Sequence, residues 1–307
     1  MDTSKLAASR HSGSSDNPRV LSIQSTVVHG HVGNKSAMFP LQLNGFEVDP
    51  INSVQFSNHT GYQGGFKGQR LDGDGLWELF EGLKANSLLT YSHVLTGYIG
   101  SPTFLETVGK IVAELKLANP GLRYLCDPVL GDNGKLYVAE EFVQLYKDVL
   151  VPLCDILTPN QTEAEFLTGL KIVSDADAAA ACDALHDMGV AKVLITSMVC
   201  ADTPADHLVV FGSHRREDGG ATSRFRMTFP QLPVFFSGTG DLTAALLMCW
   251  DHKENDFALA TEKAIASVQA VVTRTHAAGS AELLLVSSRA DLESPDVKIK
   301  VTSLSQL

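Results

Sequence analysis

The feature that most constrains the fold is a regular alternation of strand-like and helix-like segments that starts at Arg19. Short aliphatic and β-branched runs, such as 20–23 and 123–126, alternate with longer segments, such as 103–117, in which apolar residues recur every three or four positions. Strands separated by helices predict right-handed βαβ crossovers and a mainly parallel sheet with helices on both faces. Residues 207–236 have the pattern of strands and turns, so we expect antiparallel strands at one edge of this α/β fold.

The domain organisation predicted from the sequence is simple. The chain has no internal repeat and no linker that would divide it, so we predict one domain over residues 19–307, with further short strands near 284–286 and 299–301. Residues 1–18 are polar and serine-rich and lack the apolar core of a secretory signal. We expect a flexible tail there.

Charge and cysteine content exclude several classes of protein. With 24 Lys and Arg against 35 Asp and Glu, the net charge is −11, which disfavours a nucleic acid as the main partner. No apolar run reaches the roughly 20 residues that span a bilayer, so we expect no membrane association. The cysteines form no C-x-x-C pair, which argues against a zinc site or a disulfide framework and favours a reducing, cytoplasmic location; they are Cys126, Cys154, Cys182, Cys200 and Cys249.

The strongest local motif is Gly238-Thr239-Gly240-Asp241, between an extended run and a helix. Glycines at a helix start allow a ligand to approach the free amides of the first turn, which form an anion hole with the helix dipole behind them. Asp241 would then remove a proton from a hydroxyl that attacks phosphorus there. The alternative is an aspartate that only caps the helix beside turn glycines.

Two further acidic motifs follow predicted strands. Asp127 and Asp132 lie on a turn shaped by proline and glycine, which suits a hard divalent cation, although side chains in such turns also cap backbone amides. In the segment 158–165, Thr162 and Glu165 fit a capping box. That interpretation leaves Asn160 and Glu163 free to orient magnesium-bound water and phosphate oxygens.

Weaker candidates lie in strand ends and loops. Thr196 and Ser197 end a predicted strand, where open sheets bind ligands. The segment 58–68 has four glycines in eleven residues, which predicts a mobile loop that could bring His59 and Thr60 to a ligand. The chain lacks a Walker loop, the protein-kinase motifs and a G-x-S-x-G elbow, so those three classes of enzyme are excluded.

Taken together, these motifs resemble those of the ribokinase-type superfamily of small-molecule kinases, and most of all its pyridoxal kinase family. Their amino-acid sequences are similar to those of plant members. The resemblance runs from about Arg19 to the C-terminus. The residues that carry it are RVLSIQS (19–25), GHVGNKSAMFPLQLNGFEVDPINSVQFSNHTGY (30–62), HVLTGYIG (93–100), CDPVLGDNGKLYV (126–138), LTPNQTEAE (157–165), VLITS (193–197) and SGTGDL (237–242).

The resemblance implies a ribokinase-like three-layer α/β/α sandwich, with a mainly parallel central sheet and antiparallel edge strands. It also implies ATP-dependent phosphorylation of the 5′-hydroxymethyl group of pyridoxal, pyridoxine and pyridoxamine, and a homodimer. Asp241 would be the general base, and the amides of Gly238, Thr239 and Gly240 would hold the γ-phosphate. The residues expected to hold the vitamin are Ser25, Thr60 and Tyr98, with Val32 and Phe56 against its ring.

The resemblance implies a second set of roles around the nucleotide. Asp127, Asp132, Asn160 and Glu163 would organise Mg²⁺ and the triphosphate. Thr158 and Thr196 would help to hold a monovalent cation, expected to be K⁺, and Ser197 would lie near the nucleotide. The backbone of Pro233, Val234 and Phe235 would face adenine.

Two alternatives remain open on the sequence. The first is a superfamily kinase for hydroxymethylpyrimidine, a sugar or a nucleoside. The second is a non-catalytic protein that binds a nucleotide or a vitamin and keeps the fold. An intact Asp241 argues against the second, because a protein that has lost activity has no need of the base.

Overall fold

The computed structural model describes residues 17–216 and 221–304, and its centre is a ten-stranded sheet. The strand order is β12-β11-β10-β9-β8-β5-β4-β1-β2-β3. Strands β2, β1, β4, β5, β8 and β9 are parallel, whereas β3 on one edge and β10, β11 and β12 on the other are antiparallel. The strands are β1 (Arg19–Val27), β2 (Glu47–Phe56), β3 (Gly68–Arg70), β4 (His93–Thr96), β5 (Arg123–Cys126), β6 (Gly131–Asp132), β7 (Lys135–Leu136), β8 (Ile156–Leu157), β9 (Lys192–Met198), β10 (His207–His214), β11 (Ser223–Pro230) and β12 (Thr302–Ser303).

Helices cover both faces of the sheet, as the sequence predicts. They are α1 (Asn34–Leu43), α2 (Gly73–Ala85), α3 (Pro102–Ala118), α4 (Glu141–Leu145), α5 (Gln161–Thr168), α6 (Asp175–Asp187), α7 (Thr239–Glu254), α8 (Phe257–Ala277) and α9 (Arg289–Glu293). The mainly parallel sheet between two helical layers, with antiparallel edge strands, confirms the predicted fold class.

Two apolar cores lie on opposite faces of the sheet, because successive side chains of a strand point to opposite sides. In β4, Val94 belongs to the core formed with α2, α3, α5 and α6, while its neighbour Leu95 belongs to the core formed with α1, α7 and α8. Val94 and Leu95 are adjacent and both apolar, as expected in a strand that is buried on both faces.

The C-terminal strands are where the prediction is wrong. Leu283 and Leu285 are buried, but they lie in an irregular segment that leads into a 3₁₀ turn at Val286–Ser288. The strand expected near 299–301 is a two-residue strand, Thr302–Ser303, on the edge strand β11. A short apolar run signals burial, and burial does not require a strand partner. The predicted tail falls outside the described residues as far as residue 16.

Candidate active site

A cavity of about 540 Å³ opens at the carboxyl ends of the parallel strands. Most of the candidate residues line it. They are Ser25, Tyr98, Asp127, Asp132, Thr158, Asn160, Glu163, Thr196, Ser197, Val234, Phe235, Gly238, Thr239, Gly240 and Asp241. Chain crossovers bring segments more than 200 residues apart in sequence to one edge of the sheet, as expected for ligand sites in open α/β sheets.

The glycine turn that precedes α7 has a backbone that other residues would not adopt without strain. Gly238 is the N-cap of α7 and has φ of +89°. A Cβ atom at this position would lie 2.0 Å from the carbonyl oxygen of His31, so both conformation and space require glycine. The first-turn amides of α7 have no partner within the helix. The turn therefore offers main-chain donors at the positive end of a 16-residue helix.

Asp241 is the third residue of α7, and its side chain does not cap its own helix. Its Oδ2 accepts a hydrogen bond of 2.7 Å from the amide of Gly33, in the β1–α1 loop. The alternative of an N-cap aspartate is wrong, because Gly238 occupies that position. Burial raises the pKa of Asp241, and the Gly33 bond opposes this rise. A carboxylate whose pKa moves towards neutrality is a better proton acceptor.

Asp127 lies directly across from the glycine turn. A Cβ atom at Gly240 would be 3.5 Å from its Oδ2. The pKa of Asp127 is raised well above its usual range, first by burial and then by the negative charges of Glu163 and Asp241. Within the part of the chain that the structure describes, its side chain accepts from one donor, the hydroxyl of Thr158, at a long distance of 3.4 Å. Among the described residues, this carboxylate is therefore poorly compensated.

The cavity as a whole is acidic. The residues that line it include Asp127, Asp132, Glu163 and Asp241 and, within the described part of the chain, no lysine, arginine or histidine. An anionic ligand would need a cation to offset these charges. No group of three imidazole, thiolate or carboxylate side chains in the described ranges converges on one point, so a divalent ion there would take its other ligands from the bound phosphates or water.

The capping box of α5 differs from the predicted one. Asn160 is the N-cap, its side chain accepts from the amide of Glu163, and Glu163 accepts in return from the amide of Asn160 at 2.8 Å. Thr162 instead accepts from the amide of Gly134, and Glu165 accepts from the amide of Ile172. Both patterns satisfy the Ser/Thr/Asn-x-x-Glu spacing, and the position of the first helical residue decides between them.

Glu163 also fastens the turn after β5. Its Oε1 accepts from the amide of Leu130 at 3.0 Å, while Asn160 donates to the carbonyl of Gly131 at 2.7 Å. Burial raises the pKa of Glu163 to about 8, and the backbone donors oppose this rise. Both side chains line the cavity, but most of their hydrogen bonds hold the backbone.

Asp132, Thr196 and Ser197 lie around the turn that follows β5. Asp132 ends β6, is partly exposed, and accepts from the backbone amide of Asn133 at 2.8 Å. The hydroxyl of Thr196 makes a long bond of 3.5 Å to the carbonyl of Pro159, and Ser197 follows it on the cavity wall.

Four candidates do not line the cavity itself. Val32 and Phe56 pack in a small apolar cluster with Tyr98, which does line it. Thr60 is exposed in the loop after β2. Pro233 is exposed beside Val234 and Phe235, which reach the cavity wall.

Sequence reasoning missed a buried polar group behind Asp241. Gln24 in β1 is fully buried, and its Nε2 donates to Ser22, which in turn donates to Asn34. Its Oε1 has no hydrogen-bond partner among the described residues. A Cβ atom at Gly97 would lie 2.6 Å from that oxygen and 3.4 Å from Oδ1 of Asp241. The alternation of Ser22 and Gln24 with apolar residues in β1 was the available indication.

Comparison with known proteins gives the family. The profile described as Phosphomethylpyrimidine kinase matches residues 87–285. A pyridoxal kinase of Arabidopsis thaliana is 50% identical over 95% of this chain and 96% of its own length. That of Homo sapiens is 46% identical over 93% and 98%. The chain belongs to the pyridoxal kinase family. The resemblance found in the sequence is therefore confirmed. Of these two relatives, the plant protein has the higher identity to this chain.

A solved structure of the family has the same architecture. The pyridoxal kinase of Leishmania donovani in complex with ADP and pyridoxine is 39% identical, with a TM-score of 0.87 over 93% of this chain and 99% of that one. Within residues 17–216 and 221–304, no helix has the length and hydropathy required to cross a membrane.

Proposed function

We propose that this pyridoxal kinase family member transfers the γ-phosphoryl group of ATP to the 5′-hydroxymethyl group of pyridoxal, pyridoxine and pyridoxamine. The observation that carries the proposal is the position of Asp241. Its carboxylate lies in the cavity at the N-terminus of α7, three residues beyond an N-cap glycine.

The chemistry follows from this arrangement. The alcohol oxygen attacks the terminal phosphorus, the bond to the bridging oxygen breaks, ADP leaves, and the alcohol proton goes to Asp241. Phosphoryl transfer needs mainly positioning and charge compensation. The amides of Gly238, Thr239 and Gly240 would bind the transferring group, and one such donor contributes about 3 kcal/mol by analogy with oxyanion holes.

A divalent cation fits the acidic cavity. Asp127 is the best candidate to face it, because its carboxylate has one long protein hydrogen bond and a raised pKa. We propose Mg²⁺ bound with ATP, with Asp132 and Glu163 nearby and a charge that offsets the phosphates. The hydroxyls of Thr158 and Thr196, whose hydrogen bonds are long, would contribute to a K⁺ site.

The two substrates would occupy opposite parts of the cavity. Ser25 and Tyr98 would contact the vitamin, with Val32 and Phe56 behind Tyr98 and Thr60 on the loop that faces them. Asn160, Glu163, Thr196 and Ser197 would lie along the triphosphate. The segment Pro233, Val234 and Phe235 would face adenine, since Val234 and Phe235 line the cavity.

The family resemblance supports three further proposals. Residues 19–307 would act as one kinase domain. The protein would form a homodimer and would work in the cytoplasm. Sedimentation of the full chain would test the assembly.

An alcohol panel tests the function. ADP release with ATP is measured for pyridoxal, pyridoxine, pyridoxamine and hydroxymethylpyrimidine, then repeated without Mg²⁺ and without K⁺. We expect turnover with the vitamin B6 alcohols that requires Mg²⁺ and is stimulated by K⁺. The matched family profile makes hydroxymethylpyrimidine the competing substrate, and faster turnover with it would overturn the assignment. Absence of turnover with every alcohol would favour a non-catalytic binding protein.

A further inference from the structure

Glu282 lies outside the cavity and connects two separate segments near the cavity. It follows α8, and its side chain is 12% exposed. Its carboxylate accepts from the hydroxyl of Tyr62 at 2.7 Å and from the amide of His31 at 3.3 Å. A third contact, of 3.3 Å, joins its Oε1 to Nε2 of His59. Tyr62 and His59 belong to residues 57–67, here called the 57–67 loop. His31 belongs to residues 28–33, here called the 28–33 segment.

The fit around this carboxylate is close. Gly30 has φ of +93°, and a Cβ atom there would lie 2.1 Å from Oε2 of Glu282. The 28–33 segment therefore packs its backbone against the carboxylate, and glycine makes this possible. The same segment donates the Gly33 amide to Asp241, and its His31 carbonyl lies against Gly238.

The imidazole of His59 extends the connection to the glycine turn. Its Nδ1 accepts from the amide of Gly61 at 3.1 Å, so the proton lies on Nε2, which faces Glu282. The hydroxyl of Ser237 lies 3.4 Å from the same Nδ1. Ser237 lines the cavity and precedes Gly238. The 57–67 loop is thus held between Glu282 and the start of the anion-binding turn.

We propose that Glu282 is a positioning residue that fastens the 57–67 loop to the 28–33 segment, and thereby holds Thr60 beside the vitamin and the loop over the glycine turn. This inference rests on the proposed function. A carboxylate suits the role because it presents only acceptors to three donors. Glutamine would leave one donor facing an amide NH₂ group. Loops held in this way exclude water and complete the binding site.

The test compares Glu282→Ala, Glu282→Gln and Tyr62→Phe with the parent and with Glu293→Gln, a change at an exposed glutamate of α9. We expect Glu282→Ala to raise KM for pyridoxal roughly tenfold, about the contribution of one charge-assisted hydrogen bond, with a smaller change in kcat. ADP formed per phosphorylated vitamin should rise above one, because water enters the site. Tyr62→Phe should change both quantities in the same direction, by less.

Limited trypsin digestion without substrates gives a readout that does not depend on activity. Cleavage after Lys67, identified by mass spectrometry, should be faster in both Glu282 variants than in the parent and in Glu293→Gln. If the parent phosphorylates pyridoxal while Glu282→Gln and Tyr62→Phe match it in KM, coupling and cleavage, Glu282 has no positioning role. If the parent has no kinase activity, the proposed function fails, and equal cleavage rates would separately refute the attachment of the loop. If the Glu282 variants do not fold, Tyr62→Phe provides the same comparison of KM, coupling and cleavage rate with the parent.

Discussion

Two carboxylates of helix α7, one in its first turn and one in its last, have opposite surroundings. Asp241, in the first turn, accepts one backbone amide and faces a cavity without basic residues among those described. Asp251, in the last turn, is 1% exposed and accepts from Lys192 at 2.5 Å and from Arg123 at 3.2 Å. The positive end of the helix dipole favours the first charge, while the second, at the negative end, needs its two cations.

The same contrast extends to the two ends of the sheet. At the carboxyl end, burial and then neighbouring negative charge raise the pKa values of Asp127 and Glu163. At the amino end, burial and then neighbouring positive charge lower the pKa values of His93 and His252. The carboxyl end of the sheet therefore lacks positive charge among the described residues and is suited to a cation and a substrate. At the amino end, the buried carboxylate of Asp251 is paired with two cations. We infer that the first region serves chemistry and the second serves stability.

The largest effect is expected for Asp241→Asn. Loss of the base should lower kcat by roughly 10²–10⁴-fold, the range of general-base catalysis. Unfolding free energy should not fall, because the variant removes a partly buried charge that has no cationic partner among the described residues, and Asn keeps an acceptor for the Gly33 amide. Steady-state kinetics and urea unfolding check both points. A kcat close to the parent value would remove Asp241 from the base role.

Asp251→Ala should have the reverse profile. It leaves the mostly buried Lys192 without its partner, so we expect a loss of about 3 kcal/mol in unfolding free energy, as for other broken buried pairs. The folded variant should keep its kcat. The exposed pair of Asp187 with Arg215 provides the control, and Asp187→Ala should cost under about 1 kcal/mol. Equal urea midpoints for the two variants would contradict the contrast.

The pH dependence of stability tests the amino end through His93. Its pKa is lowered to about 3 in the folded protein, first by burial, against 6.5 when unfolded. The unfolded chain therefore binds a proton that the folded chain does not, and stability is lost as pH falls from 6.5 towards 3. At about 1.4 kcal/mol per pH unit, the loss at pH 5 should be about 2 kcal/mol.

The corresponding variant is His93→Gln, which cannot titrate. The difference between the stability–pH curves of parent and variant isolates His93 from the carboxylates, whose raised pKa values act in the opposite direction. Replacement of the exposed His276 by glutamine is the control. Parallel curves for the parent and His93→Gln between pH 6.5 and 5 would refute the prediction.

The smallest effect is expected for Asp132→Ala. This carboxylate is partly exposed at the rim of the cavity, so its loss should raise the Mg²⁺ concentration at half-maximal rate severalfold and leave kcat at saturating Mg²⁺ nearly unchanged. Magnesium titrations of parent, variant and the exposed control Asp74→Ala would show this shift. Titrations of Asp132→Ala that overlay those of the parent would exclude a part in cation binding.

Much of the architecture was predictable from periodicity and helix boundaries. The helix expected at 103–117 is Pro102–Ala118, with Ser101 as its N-cap, and it ends before Pro120. The errors have local causes. The buried segment at Leu283 and Leu285 has the apolar character of a strand without a strand partner, and the capping box of α5 was assigned two residues too late.

By itself, the sequence determined the βα order, the glycine turn before α7 and the family resemblance, because local conformation and motif spacing are encoded along the chain. The tertiary structure alone decided which groups surround each carboxylate. Asp127 lies beside Gly240, Asp251 lies between two cations, and Glu282 lies among three hydrogen-bond donors. Burial and partner distance govern electrostatic energy, and both depend on residues that are far apart in sequence.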